Sequence, residues 1–250
     1  MRSNIYKEAR IGIYIFAAVL ALVIIFYIFS SMFTSVGYDS FRQSLNTNVE
    51  HTYISKATVI IDPGHGGEDP GASANSLIEK ELNLEISLML SEFLSANGYE
   101  SVLTRNDDVL LYNSGEENRK KYHDLKNRKA FADNYENAIF ISVHMNKFPA
   151  EYCKGMQTFY SENNNGSVLL AELLQNNAKI LQIDNTRNIK NGTETIYLLK
   201  NLNIPAVLVE CGFLSNIEEA GLLSDDNYKK ALSLTLYCGI VEYLEKSYES

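Results

Sequence analysis

Four side chains in this sequence have the right chemistry to hold a metal ion and move a proton: His65, Glu79, His144 and Glu210. Two imidazoles and one carboxylate suit zinc, which in catalytic sites keeps three protein ligands and leaves a position open for water. The other glutamate is then free for proton transfer. Each residue also has a structural reading. His65 stands in the Gly-rich loop DPGHGGEDPGA, where it could simply tolerate unusual backbone angles. Glu79 opens a helical pattern, where an acid complements the macrodipole, and Glu210 beside Gly212 could form a turn contact. Ligands scattered this widely lack the compact signature of HExxH or paired CxxC, so the residues alone do not choose between these readings.

Two other chemistries fit the same stretches less well. A phosphate-cradling loop would have Asp62, Glu68 and Asp69 repelling the anion, and no Lys-Ser/Thr follows its glycines. A Cys–His nucleophile at Cys211 would sit against Glu210, and a neighbouring carboxylate raises a thiol pKa rather than lowering it. Three cysteines, Cys153, Cys211 and Cys238, are too few for a disulfide scaffold and support no pairing. His51 lies in a polar stretch without partners and is left out of the site.

The elements that must position the four residues follow from the apolar pattern. Ala57 to Ile61 is a β-branched run stopped by Asp62-Pro63-Gly64, a buried strand entering a loop. Leu82, Ile86, Met89, Leu90, Phe93 and Leu94 recur at helical spacing, and Gly98 marks the stop. Tyr99 to Arg105 reads as a second strand, Lys120 to Ala132 as a helix, and Ala138 to Val143 as a third strand with His144 just past it. Gly155 to Tyr160 reads as a strand, Ser167 to Leu181 as an amphipathic helix and Thr195 to Leu199 as a short strand. Pro205 to Val209 reads as a buried strand with Glu210 at its end, and Tyr228 to Tyr243 as the last helix. Strands alternating with helices predict an α/β domain with a mixed, largely parallel sheet flanked by helices. In such sheets side chains just past different strands converge on one crevice.

Net charge of -9 and a pI near 5.0 supply no basic field for phosphate backbones, which excludes nucleic acid as a partner on electrostatic grounds. Ile11 to Phe29 carries no charge and is long enough to span a bilayer core of ~30 Å, whereas the apolar region of a cleaved signal is roughly 7–15 residues. Arg2, Lys7 and Arg10 precede it, and the positive-inside tendency keeps them in the cytoplasm. The expected plan is therefore a cytoplasmic segment 1–10, a transmembrane helix or uncleaved signal 11–29, a polar linker 30–56 and a catalytic domain 57–250. The domain is placed outside the cytoplasm, membrane-anchored or, with cleavage, secreted.

VIIDPGHGGEDPGA, EKELNL, LTR, ISVHMN and PAVLVECGFLSN, in that order between about Ala57 and Tyr243, closely resemble the zinc N-acetylmuramoyl-L-alanine amidases of the amidase_3 family. The resemblance implies Zn2+ held by His65, Glu79 and His144, with Glu210 as the catalytic glutamate. It implies an α/β sheet flanked by helices, and cleavage of the amide between the lactyl group of N-acetylmuramic acid and L-alanine of the peptidoglycan stem. Asn146 and Arg105 match family positions too, read as a loop-orienting residue and the partner of a carboxylate.

Some cell-division members carry an added helix that blocks the zinc, and the stretch from Tyr160 to Pro205 holds one helix and one short strand with no room for another. An anchored catalytic unit without wall-binding repeats is similar in layout to the family's spore-cortex members. That implies cortex maturation through muramic-δ-lactam, at the forespore envelope. Because nothing in the sequence grips a long glycan by charge, an unidentified accessory protein is expected as a further partner. Two other readings remain: a zinc peptidase cutting within the stem, and an inactive wall-binding scaffold.

Overall fold

In the computed structural model, which describes residues 57–249, the chain alternates strand and helix. In chain order it runs β1 (Thr58–Pro63), β2 (Ser73–Ala74), β3 (Leu77–Ile78), α1 (Glu79–Ala96), β4 (Ser101–Leu103), α2 (Lys120–Ala132) and β5 (Ala138–Asn146). It continues with β6 (Gln157–Tyr160), α3 (Gly166–Leu181), β7 (Lys190–Asn191), α4 (Tyr197–Asn201), β8 (Ala206–Phe213), α5 (Ile217–Leu223) and α6 (Asp226–Glu249). Six strands form one sheet in the order β4-β1-β5-β8-β6-β7. All neighbours are parallel except β6, which runs antiparallel to β8. The mixed, largely parallel α/β sheet expected from the alternation is the one observed. The expected transmembrane segment, linker and His51 lie outside the described residues, and among the described residues no helix is long and apolar enough to cross a membrane.

Side-chain alternation along the strands divides the interior into two cores. Val59, Ile61, Ile139, Ile141, Val143, Val207 and Val209 face α1, α3 and α6, where they pack with Ile86, Leu90, Leu174 and Leu236. Ile60, Phe140, Ala206 and Leu208 face the other way, against Ala132 of α2 and Leu198 and Leu199 of α4. Both faces being covered explains why β1, β5 and β8 read as continuous apolar runs. In α1 the buried stripe Leu82, Ile86, Leu90 and Leu94 follows the helical period, each such side chain contributing roughly 1.5–3 kcal/mol by leaving water. The helix stops where predicted. Gly98 is left-handed (φ 77°), with its N–H donating to the Ser95 carbonyl and that of Tyr99 to Leu94, which satisfies the last carbonyls.

Two expectations change. Residues 195–199 are not a strand: Tyr197–Asn201 is the short helix α4, and Lys190–Asn191 forms the edge strand instead. Consecutive Leu198 and Leu199 are both buried in the second core, which one helix face over the sheet achieves and an edge strand pointing them to opposite faces would not. The stretch from Tyr160 to Pro205 therefore holds α3, β7 and this five-residue helix. β5 and β8 also run further than their apolar patterns, so His144 and Glu210 lie within strands rather than just after them.

Candidate metal centre

Strand alternation aims the site. Ala138 and Phe140 of β5 and Ala206 and Leu208 of β8 face α2 and α4, and continuing in steps of two brings His144 and Glu210 to the same face. The two are register partners across the parallel ladder. His65 arrives from the loop after β1 and Glu79 from the first position of α1. All four thus meet at the carboxyl edge of the sheet, where open α/β folds place their ligand crevices.

His65 Nε2 lies 3.2 Å from Glu79 Oε1, and His144 Nδ1 lies 2.9 Å from the same oxygen. The imidazoles meet edge to face, their centroids 4.9 Å apart. One potential ligand atom from each of His65, Glu79 and His144 falls within 4.8 Å of the others. Ligand atoms about 2.0–2.2 Å from a common zinc ion lie no more than about 4.4 Å apart, and the separations of 3.2 and 2.9 Å from Glu79 Oε1 meet this, so the donor set fits that ion. The second ring nitrogen of His65, Nδ1, bonds Asp69 Oδ2 at 2.9 Å, which leaves Nε2 as the donor atom. Asp69 is itself held by Lys121 at 2.7 Å. The backbone N–H of Ala72 donates to Glu79 Oε2 (2.6 Å) and that of Met145 to Oε1 (3.1 Å), fixing the carboxylate between two segments.

The surroundings leave no slack. A Cβ on Gly64 would come within 2.2 Å of His144 Nε2, and one on Gly71 within 2.5 Å of Glu79 Oε2 and 2.7 Å of His65 Cδ2. Gly71 is also left-handed (φ 68°), as is His65 itself (φ 61°), a conformation that side-chain-bearing residues rarely adopt.

Electrostatics separate the two glutamates. Burial alone would raise the Glu79 carboxyl, but hydrogen bonds and attraction from His144 and His65 hold it far below the usual carboxylate range. Burial opposes protonation of His65, and the carboxylates of Glu79 and Asp69 outweigh it and raise its pKa. Glu210 has no such donors. Burial pushes its carboxyl up to about 7, His144 and His65 pulling it down and Glu79 pushing it up. Its Oε2 is sealed from solvent without a hydrogen-bond partner among the described residues. Cys211 is fully buried, and burial together with Glu210 drives its thiol pKa far upward, which removes it as a nucleophile.

Residues 59–242 match the family model Amidase_3, N-acetylmuramoyl-L-alanine amidase. The chain belongs to this family. Its reaction is accordingly that of an N-acetylmuramoyl-L-alanine amidase acting on peptidoglycan. The chain is 33% identical over 196 residues to the germination-specific N-acetylmuramoyl-L-alanine amidase of Bacillus subtilis (strain 168), covering 76% of this chain and 81% of that one. It is 32% identical over 188 residues to the N-acetylmuramoyl-L-alanine amidase LytC of the same organism, of which it covers only 35% against 74% of itself. Among solved structures, the CwlD amidase from Clostridioides difficile in complex with the GerS lipoprotein superposes with a TM-score of 0.73 at 40% identity, covering 76% of this chain and 99% of that one. The catalytic domain of CwlV from Bacillus (Paenibacillus) polymyxa var. colistinus gives 0.66 at 31% identity, covering 76% and 98%.

All four residues singled out in the amidase sequence are thus brought to one edge. Two partners of the site were not legible there. Asp69 was read only as a charge hostile to phosphate, although its place four residues after His65 was the available signal. Arg128 gave no signal, being one cation in a helix of many. Arg105 is corrected: rather than pairing with a carboxylate, its guanidinium donates to the carbonyls of Pro63, Gly64, Lys80 and Asp107. Asn146 ends β5, and its carbonyl accepts from the Leu214 N–H, joining this strand to the segment after β8.

Proposed function

We propose that this amidase is zinc-dependent, with His65 Nε2, Glu79 Oε1 and His144 Nδ1 as ligands and Glu210 as the acid/base. The observation that carries the reading is the mutual closeness of three ligand atoms of suitable chemistry, one of them on His144, whose register partner Glu210 carries a sealed carboxylate oxygen without a hydrogen-bond partner among the described residues. An ion held there would supply Lewis-acid polarisation of the scissile carbonyl and would acidify the attacking water toward neutrality. Glu210 accepts a proton from the attacking water. The water oxygen bonds to the lactyl carbonyl carbon, and the bond from that carbon to the alanine nitrogen breaks. Glu210 returns its proton to that nitrogen, giving a free carboxylate on muramic acid and a stem peptide with an amino terminus. Neutral pH suits this role, because a group shuttling protons works best with a pKa near the working pH, and burial raises Glu210 to about 7.

The biological setting we infer is the spore cortex, where the cut prepares muramic-δ-lactam. Likeness to the germination-specific amidase of Bacillus subtilis and to CwlD supports it. A lipoprotein partner belongs to the same reading, since that CwlD is seen bound to the lipoprotein GerS. The uncharged run Ile11 to Phe29 would anchor the enzyme with its catalytic domain, beginning near residue 57, outside the cytoplasm.

Incubating the zinc-loaded full chain with cortex-type and vegetative peptidoglycan, followed by mass spectrometry, tests reaction and substrate together. Stem peptides beginning with alanine are expected, in larger yield from cortex-type material. Shortened stems still attached to muramic acid would replace the amidase reading with that of a peptidase.

A further inference from the structure

The loop that presents His65 is held from beneath by its own backbone. Three successive carbonyls turn inward. That of Pro63 accepts from Arg105 Nε (2.9 Å) and Arg128 Nη1 (2.8 Å). Gly64 accepts from Arg105 Nη2 (3.0 Å) and Asn83 Nδ2 (3.1 Å). His65 accepts from Arg128 Nη2 (2.7 Å). Arg128 comes from the middle of α2, 63 positions later in the chain, and is 1% exposed. It lines the same cavity, about 190 Å³, as His65, His144 and Asp69.

The guanidinium is oriented before it reaches the loop. Asp124 Oδ2 takes its Nε at 2.8 Å and Asp62 Oδ1 takes its Nη1 at 2.6 Å. Asp62 is fixed in turn by the hydroxyls of Thr104 (2.6 Å) and Ser142 (2.7 Å). The remaining direction of the planar fork ends on the carbonyl of the one ligand candidate whose backbone is left-handed. Neutralising Asp62 and Asp124 would need only a positive charge. Reaching both aspartates and the His65 carbonyl needs the fixed geometry of a guanidinium, which a lysine ammonium lacks.

We infer that Arg128 is a positioning residue for the metal centre: its fork, set by Asp62 and Asp124, holds the His65 backbone in the left-handed conformation that presents Nε2 to the ion. This rests on the zinc reading above. An ion bound by a ligand whose backbone is not preset must order that loop as it binds, so loss of the fork shows as weaker binding.

The test uses the full chain, with Zn2+ affinity measured by chelator competition, the visible spectrum of the Co2+-loaded protein, and thermal unfolding without metal. Arg128→Lys retains the charge and should bind Zn2+ about 10–100-fold more weakly, the usual loss when a group supporting a ligand is removed, with an altered Co2+ spectrum. Asp124→Asn keeps the side-chain shape while loosening the fork, and should move affinity the same way by less. Ser233→Ala removes a buried hydroxyl that donates to the Ile86 and Lys229 carbonyls on the opposite side of the sheet, and should lower the unfolding temperature while leaving Zn2+ affinity unchanged. If Arg128→Lys does not fold, Asp124→Asn decides. Wild-type affinity and Co2+ spectrum in the folded Arg128 and Asp124 variants would overturn the role of Arg128, as would an equal loss of affinity in Ser233→Ala. A wild-type chain that takes up no zinc would instead overturn the zinc reading, and this inference with it.

Discussion

His144 and Glu210 are direct register partners in the parallel ladder between β5 and β8. Adjacent strands lie ~4.8 Å apart, so the ladder itself sets the distance between a ligand candidate and the proposed proton carrier, without a flexible loop between them. Both residues face the same way because each continues an alternation that begins in the second core.

This arrangement separates metal binding from proton transfer. Glu210→Gln should keep stoichiometric zinc while losing at least about 10²–10⁴-fold in turnover, the usual contribution of a positioned acid/base. Metal content by mass spectrometry alongside kcat on peptidoglycan checks it, and near-normal turnover in a zinc-loaded variant would remove Glu210 from the mechanism. His65→Ala should lose the metal itself.

Asp69 holds Nδ1 of His65 at 2.9 Å and so selects Nε2 as the donor atom. Asp69→Asn should weaken Zn2+ binding about 10–100-fold while the domain stays folded. Because Lys121 reaches Asp69 from an exposed position, Lys121→Gln should have a smaller effect in the same titration.

Gly64 has no room for a side chain. In Gly64→Ala the new methyl would meet the His144 ring at 2.2 Å, so the ring must leave its place beside Glu79. Zinc binding and activity should fall together, whereas Gly98→Ala, with open space around it, should cost only the left-handed backbone penalty of about 1 kcal/mol. Denaturant unfolding of both variants beside their zinc titrations distinguishes the two kinds of glycine.

Acid should release the buried cluster under the His65 loop. Burial would raise the Asp62 carboxyl, but Arg128, Thr104 and Ser142 overcome it and hold its pKa below the ordinary value. With a folded value under the unfolded one of about 3.9, the stability Asp62 contributes is full above that pH and disappears as pH falls through the folded value. Metal-free wild type should therefore lose stability steeply below about pH 4. Asp62→Asn should start several kcal/mol less stable, on the order of 3–5 for a broken buried pair, and show a shallower decline. Equal pH slopes in the two proteins would contradict the assignment.

Much of the fold could be read along the chain because its signals are local. The β-branched run of β1, the helical period of α1 and its left-handed Gly98, and the apolar stretches of β5 and β8 are decided by neighbours within one element. The reading failed where an apolar run was too short for its period to tell. α4 became a helix because two consecutive leucines had to be buried against a single face. It also stopped short where a polar residue interrupted a strand's apolar run, since His144 and Glu210 look like ends of such runs while the ladder hydrogen bonds continue through them.

The sequence by itself determined the kinds of group available, two histidines and two glutamates among family motifs in order, and the elements that carry them. Only the tertiary structure decided which atoms meet: Nε2 of His65 and Nδ1 of His144 on one oxygen of Glu79, Asp69 behind the first imidazole, and Arg128 beneath its backbone. The reason is physical. Residue type and periodicity are properties of short stretches, whereas Arg128 meets His65 across 63 positions and His144 meets Glu79 across 65. Parallel pairing of β1 with β4 and β5, with α1 and α2 as the connections between them, brings such distant positions within hydrogen-bonding reach.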